Sequence, residues 1–80
     1  MKVKNIWASG CAVICEIDDK YYFYNKRYNE TPSLTTGQEV SASQLGAPYK
    51  VIKRKGAYPE SVFNPRMKKV DRIDQRVQAD

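Results

Sequence analysis

The sequence predicts a small α+β domain: a twisted antiparallel sheet of three or four strands, one short helix, and a C-terminal amphipathic helix. Three observations carry that expectation. Two runs rich in β-branched and aromatic residues flank Asp18-Asp19, the pattern of a β-hairpin. Thr36-x-x-Glu39 fits a capping box and Gly46 a helix stop, bracketing a helix somewhere within 37–45. Asn64-Pro65 then offers a cap and a first-turn proline ahead of Val70, Ile73 and Val77, which recur at helical spacing. At 80 residues the chain is one domain (1–80), with a β-rich body over 1–58 and a basic helix over 64–78.

Taken in order, residues 2–7 alternate enough for a first strand that ends at Ser9-Gly10. The run Cys11–Ile17 and the run Lys20–Tyr28 form the hairpin, in one of two registers. A two-residue turn at Asp18-Asp19 sets Cys15 opposite Tyr22 and Val13 opposite Tyr24, which takes both tyrosines into the core. A three-residue loop turns Lys20, Tyr22, Tyr24, Lys26 and Tyr28 outward instead, a row of aromatics interleaved with cations of the kind on which nucleobases stack. The first register collects more apolar side chains on one face. Residues 29–38 read as a loop broken by Pro32 and Gly37. Tyr49–Lys55 reads as an edge strand whose lysines also oppose edge-to-edge pairing. Tyr58 and Phe63 fall in an irregular stretch and pin it to the body.

Charge is the main functional clue. The chain carries a net +5, and all of it lies after Tyr49, where nine cations face four carboxylates; before Lys50, five cations balance five carboxylates. One-sided positive charge is the usual footprint of a protein that meets a polyanion. On the expected C-terminal helix Lys68, Lys69, Arg72 and Arg76 share one arc, and Lys53, Arg54 and Lys55 form a second patch. These seven are the candidate contacts for nucleic acid or for an acidic protein surface. Tyr22, Tyr24 and Tyr28 are the candidate stacking or interface aromatics.

Other chemistry has little support. Histidine is absent, which removes the commonest general acid/base and metal ligand, and neither Ser41 nor Ser43 has an activating partner in the sequence. The four glycines are scattered, so no phosphate-cradling loop is encoded. Cys11 and Cys15 on one strand stand roughly 13 Å apart, beyond disulfide reach, and read as two reduced, largely buried thiols. Ala8-Ser9-Gly10-Cys11 resembles a lipoprotein cleavage box only faintly, since the apolar run before it is too short for export. No run is long enough for a membrane helix.

The expectation is therefore a cytoplasmic, non-enzymatic binding protein with no cofactor and no metal, whose partner is nucleic acid. The alternative is a protein-binding inhibitor or adaptor of the phage or mobile-element type, using the Tyr-rich sheet, Trp7 and the C-terminal helix. A homodimer through Met67, Val70, Ile73 and Val77 is a further arrangement the terminal stripe would allow. The short strands also suit SH3-like and OB-like barrels, yet no motif is specific to either.

Overall fold

Two tight hairpins build the centre of the molecule. The structure, a computed structural model, describes residues 1–53 and 65–74. Strand β1 (Val3–Ser9) turns at Gly10-Cys11 into β2 (Ala12–Ile17), which turns at Asp18-Asp19 into β3 (Lys20–Asn25). Gly10 supplies φ 57°, the positive value that the first position of a tight hairpin turn takes without steric cost. At the second turn Asp18 and Asp19 have φ 58° and 45°, so both central residues are left-handed, as a type I′ turn requires. That turn fixes the two-residue register: Ile17 faces Lys20, Cys15 faces Tyr22 and Val13 faces Tyr24.

The remaining elements are β4 (Leu34–Thr35), the one-turn helix α1 (Ala42–Leu45), β5 (Lys50–Lys53), β6 (Lys68–Val70) and β7 (Arg72–Ile73). The main sheet is antiparallel with the order β5-β3-β2-β1-β6, and β4 pairs with β7 in a small second sheet. The segment between β4 and α1 is stitched to β1. Val3 donates to the Gln38 carbonyl at 3.0 Å, Gly37 to Val3 at 2.8 Å, and Val40 to Met1 at 2.7 Å.

One core follows from this arrangement. Val3, Ile6, Val13, Cys15, Ile17 and Tyr24 project from one face of the sheet and meet Leu34, Val40, Leu45 and Ile73 from the elements laid across it. Each fully buried aliphatic side chain in such a core contributes about 1.5–3 kcal/mol. On the opposite face Ile14, Glu16 and Tyr21 are also buried, with Trp7 half-buried and its ring 6.2 Å from that of Tyr21. The central strand β2 is thus enclosed on both sides.

The expected α+β class is overturned: the chain is mostly sheet, five main strands in place of three or four, and the C-terminal helix is absent across the described part of 64–78. Residues 65–66 form a turn, 68–70 pair with β1, and 72–73 pair with β4. Val70 and Ile73 are three apart because a bend at Asp71 separates two short strands, which send Val70 toward Ile6 and Ile73 toward Leu34. Three-residue spacing imitates a helical stripe, and tertiary pairing decides otherwise. Residues 75–78 of the expected helix lie outside the described residues, as do Tyr58 and Phe63.

The short helix survives only as one turn. Its cap is Ser41, not Thr36: the Ser41 amide donates to Gln44 Oε1 at 2.8 Å, the side-chain arm of a capping box, while the Gln44 amide closes the backbone turn on the Ser41 carbonyl at 3.0 Å. The expected loop 29–38 contains β4.

Candidate functional site

An aromatic cluster stands at the β3–β5 side of the sheet. The chain leaves β3 through a turn organised by Asn25, whose side-chain oxygen accepts from the Arg27 amide at 3.0 Å and whose carbonyl accepts from Tyr28 at 2.9 Å and Asn29 at 2.8 Å. Lys26 is held by the Cys11 carbonyl at 2.8 Å. This turn fixes the backbone from which Tyr28 projects. Pro48 precedes Tyr49, and the β3–β5 register then sets Lys50 opposite Phe23 and Val51 opposite Tyr22.

The result is a chain of three rings. Phe23 meets Tyr49 edge-on with centroids 5.5 Å apart, and Tyr49 stacks on Tyr28 at 6.3 Å with an interplanar angle of 24°. Tyr28 is 70% exposed, Tyr49 55% and Val51 49%. Stacked aromatics are favourable by about 0.5–1.5 kcal/mol beyond area burial, and here the pair leaves much of its ring surface in water. Lys50 and Arg27 are exposed and adjoin the two tyrosines in sequence. Lys53 closes β5 and pairs with Lys20 in the backbone register.

The remaining candidates are dispersed. Lys68 and Lys69 sit on β6, at the other edge of the sheet from β5, four strand spacings or about 19 Å away measured along the sheet. Both are exposed, but as neighbours on a strand they face opposite sides, so the single basic arc of the helical reading does not exist. Arg72 is exposed and pairs with Asp74 at 2.9 Å, which holds its guanidinium above its ordinary pKa. Arg54, Lys55 and Arg76 lie outside the described residues.

Of the three candidate tyrosines only Tyr28 offers its ring to solvent. Tyr22 is half-buried against the core, and Tyr24 is fully buried with its hydroxyl donating to the Leu45 carbonyl at 2.7 Å. The dimer stripe is likewise broken, because Ile73 is buried in the core and Val70 packs against it; Val77 is outside the described residues. Trp7 packs on the second face and not in the main core. Cys15 is buried as expected but Cys11 is exposed; both are free.

Tyr49 was missing from the candidate aromatics. Its sequence context, Pro48-Tyr49-Lys50, marks only the start of a strand, and its exposure follows from the β3–β5 register. Beside Tyr28, a groove of about 490 Å³ runs between the 28–33 segment and α1 with its following loop. Among the described residues, no group of three or more His, Cys, Asp or Glu is placed to hold a metal ion, and no helix is long and apolar enough to cross a membrane. No family model, curated protein or solved structure matches the chain.

Proposed function

We propose that the protein binds single-stranded nucleic acid on the β3–β5 side of its sheet, with Tyr49 and Tyr28 as the stacking platform. The observation that carries this reading is the stacked, solvent-facing Tyr28–Tyr49 pair beside Arg27 and Lys50 in a chain of net charge +5. Every nucleobase has a π-face, so exposed aromatics next to cations bind single strands with little sequence demand. Lys26, Arg27, Lys50 and Lys53 are the phosphate contacts in this arrangement. The binding is non-enzymatic.

Fluorescence anisotropy with a labelled single-stranded oligonucleotide across a salt series tests it. Three to four phosphate contacts give a slope of log affinity on log salt of roughly −2 to −3. Tyr49→Ala weakens binding by about 1–3 kcal/mol, the worth of one stacked base. Absence of binding at low salt, or indifference to Tyr49→Ala, overturns the proposal.

The exposed Val51 favours one second reading, docking of an acidic protein on the same face. Nuclease-resistant capture of one protein, lost in Tyr49→Ala, would select it.

A further inference from the structure

The Tyr28–Tyr49 pair is wide for a stack. Its centroids stand 6.3 Å apart with an interplanar angle of 24°, toward the far end of the range of about 4.5–7 Å in which aromatic pairs attract. A nucleobase held between two rings takes up two stacking intervals of about 3.4 Å, so the rings that hold it stand roughly 6.8 Å apart. The observed spacing is close to that. Exposure agrees with it, because rings in tight face contact hide those faces from water, whereas Tyr28 is 70% and Tyr49 55% exposed.

The two rings also come from separate pieces of backbone, so the fold sets their spacing. Tyr28 projects from the Asn25 turn, where its amide donates to the Asn25 carbonyl at 2.9 Å. Tyr49 leads into β5 and is braced edge-on by Phe23 at 5.5 Å. Tyr49 is therefore the fixed side of the pair. Tyr28, the more exposed of the two, supplies the remaining movement, since exposed side chains change rotamer on a picosecond to nanosecond scale.

We infer that Tyr28 and Tyr49 close on a single nucleobase and hold it as a sandwich, one ring on each face, instead of carrying two successive bases on two separate rings. The inference rests on the single-strand reading and gives that site its stoichiometry, one base per protein. A sandwich reads the faces of a planar heteroaromatic ring and not its edge groups, so all four bases enter it. The phosphates on either side of the held base pass to Arg27 and Lys50.

A strand carrying one base, with every other position abasic, separates the two arrangements; a wholly abasic strand of equal length reads the phosphate contacts alone. In the sandwich both rings act on the same base, so Tyr28→Ala and Tyr49→Ala each weaken binding of the one-base strand by about fivefold or more. Binding of the abasic strand stays unchanged in both variants. With separate rings the one base occupies either, and loss of the weaker ring leaves at least about half of the affinity. One variant that binds the one-base strand within about twofold of wild type therefore overturns the sandwich, while Tyr49→Ala with a fully based strand still reports on the platform. Tyr28→Phe and Tyr49→Phe keep the rings and are expected to bind as wild type does; a fivefold loss in either would assign the affinity to a hydroxyl and overturn the sandwich as well. Failure of the fully based strand to bind at low salt overturns platform and sandwich together.

Discussion

The Tyr24 hydroxyl donates to the backbone carbonyl of Leu45 at 2.7 Å, deep in the core, and so ties the central hairpin to the single turn of α1. The bond joins residues 21 positions apart. It also anchors one wall of the groove, since Leu45, Gly46 and Ala47 line it. Tyr24→Phe keeps the ring and removes the donor, leaving a buried carbonyl short of a partner. The expected loss is about 0.5–1.5 kcal/mol in urea unfolding with an unchanged m-value. A change below experimental error would show that the carbonyl finds another donor.

The Asp18-Asp19 turn holds two side chains in left-handed backbone, where a Cβ costs roughly 1–2 kcal/mol for most residues and somewhat less for Asp. Glycine removes that cost at the second position, where type I′ turns favour it. Asp19→Gly is therefore expected to raise stability by up to about 1 kcal/mol, and Asp19→Val to lower it by more. Thermal melts of the two variants against wild type read the sign directly. Both changes leave the aromatic platform untouched, so oligonucleotide affinity should not move.

How far the fold was legible depends on where the deciding contacts lie. The hairpin was legible because Cys11–Ile17 and Lys20–Tyr24 carry their own pattern, and the register that gathers Val13, Cys15 and Ile17 with Tyr22 and Tyr24 is the one found. The C-terminal segment was not, since Val70 and Ile73 satisfy a helical spacing and two short strands equally well. What decides is remote: β1 needs a partner on its outer edge, and Leu34 needs one across β4. The β-branched character of Val70 and Ile73 was the available hint. The same remoteness hid Tyr49, whose exposure comes from the pairing of β5 with β3. Among the described residues the cations of the last third do not gather on one edge, because the sheet order sends Lys50 and Lys68 to opposite edges.

Alkaline pH should destabilise the fold in a defined window. Burial pushes the Cys15 thiol up to about 12 from its ordinary 9.0. The folded-state value is above the unfolded one, so the stabilisation is fully present below pH 9 and is lost as pH rises toward 12. In that window the unfolded chain has released a proton that the folded chain retains, giving a slope of at most about 1.4 kcal/mol per pH unit for this group. Tyr24 acts in the same direction from about pH 10, its hydroxyl raised chiefly by burial and further by Cys15 and Tyr22. Urea midpoints followed between pH 8 and 11 should fall, and Cys15→Ala should flatten the part between pH 9 and 10. The cavity left by that change lowers stability at every pH without altering the slope.

The two thiols should separate in reactivity. Cys11 is exposed at the β1–β2 turn, whereas Cys15 is buried and kept protonated. A thiol-specific chromogenic reagent under native conditions is expected to label Cys11 quickly and Cys15 only through opening of the hairpin. Urea should release the second equivalent, and Cys11→Ser should remove the fast phase. Two fast equivalents in the folded protein would contradict the burial of Cys15.

The two charged edges make opposite predictions for salt dependence. If the strand of nucleic acid runs along Tyr28 and Tyr49, phosphates meet the cations beside those rings and not the lysines of β6, about 19 Å away along the sheet. For single strands each phosphate contact contributes about 0.7 to the slope of log affinity on log salt. Arg27→Ala with Lys50→Ala should therefore reduce the slope by about 1.4, while Lys68→Ala with Lys69→Ala removes equal charge and leaves it nearly unchanged. Net charge is the same in the two double variants, so any difference between them is positional. A slope that falls only in the Lys68/Lys69 variant would move the binding face to the β6 edge and detach it from the aromatic stack. An equal, small fall in both would mean that the charge steers association without marking a contact surface, as expected for an acidic protein partner.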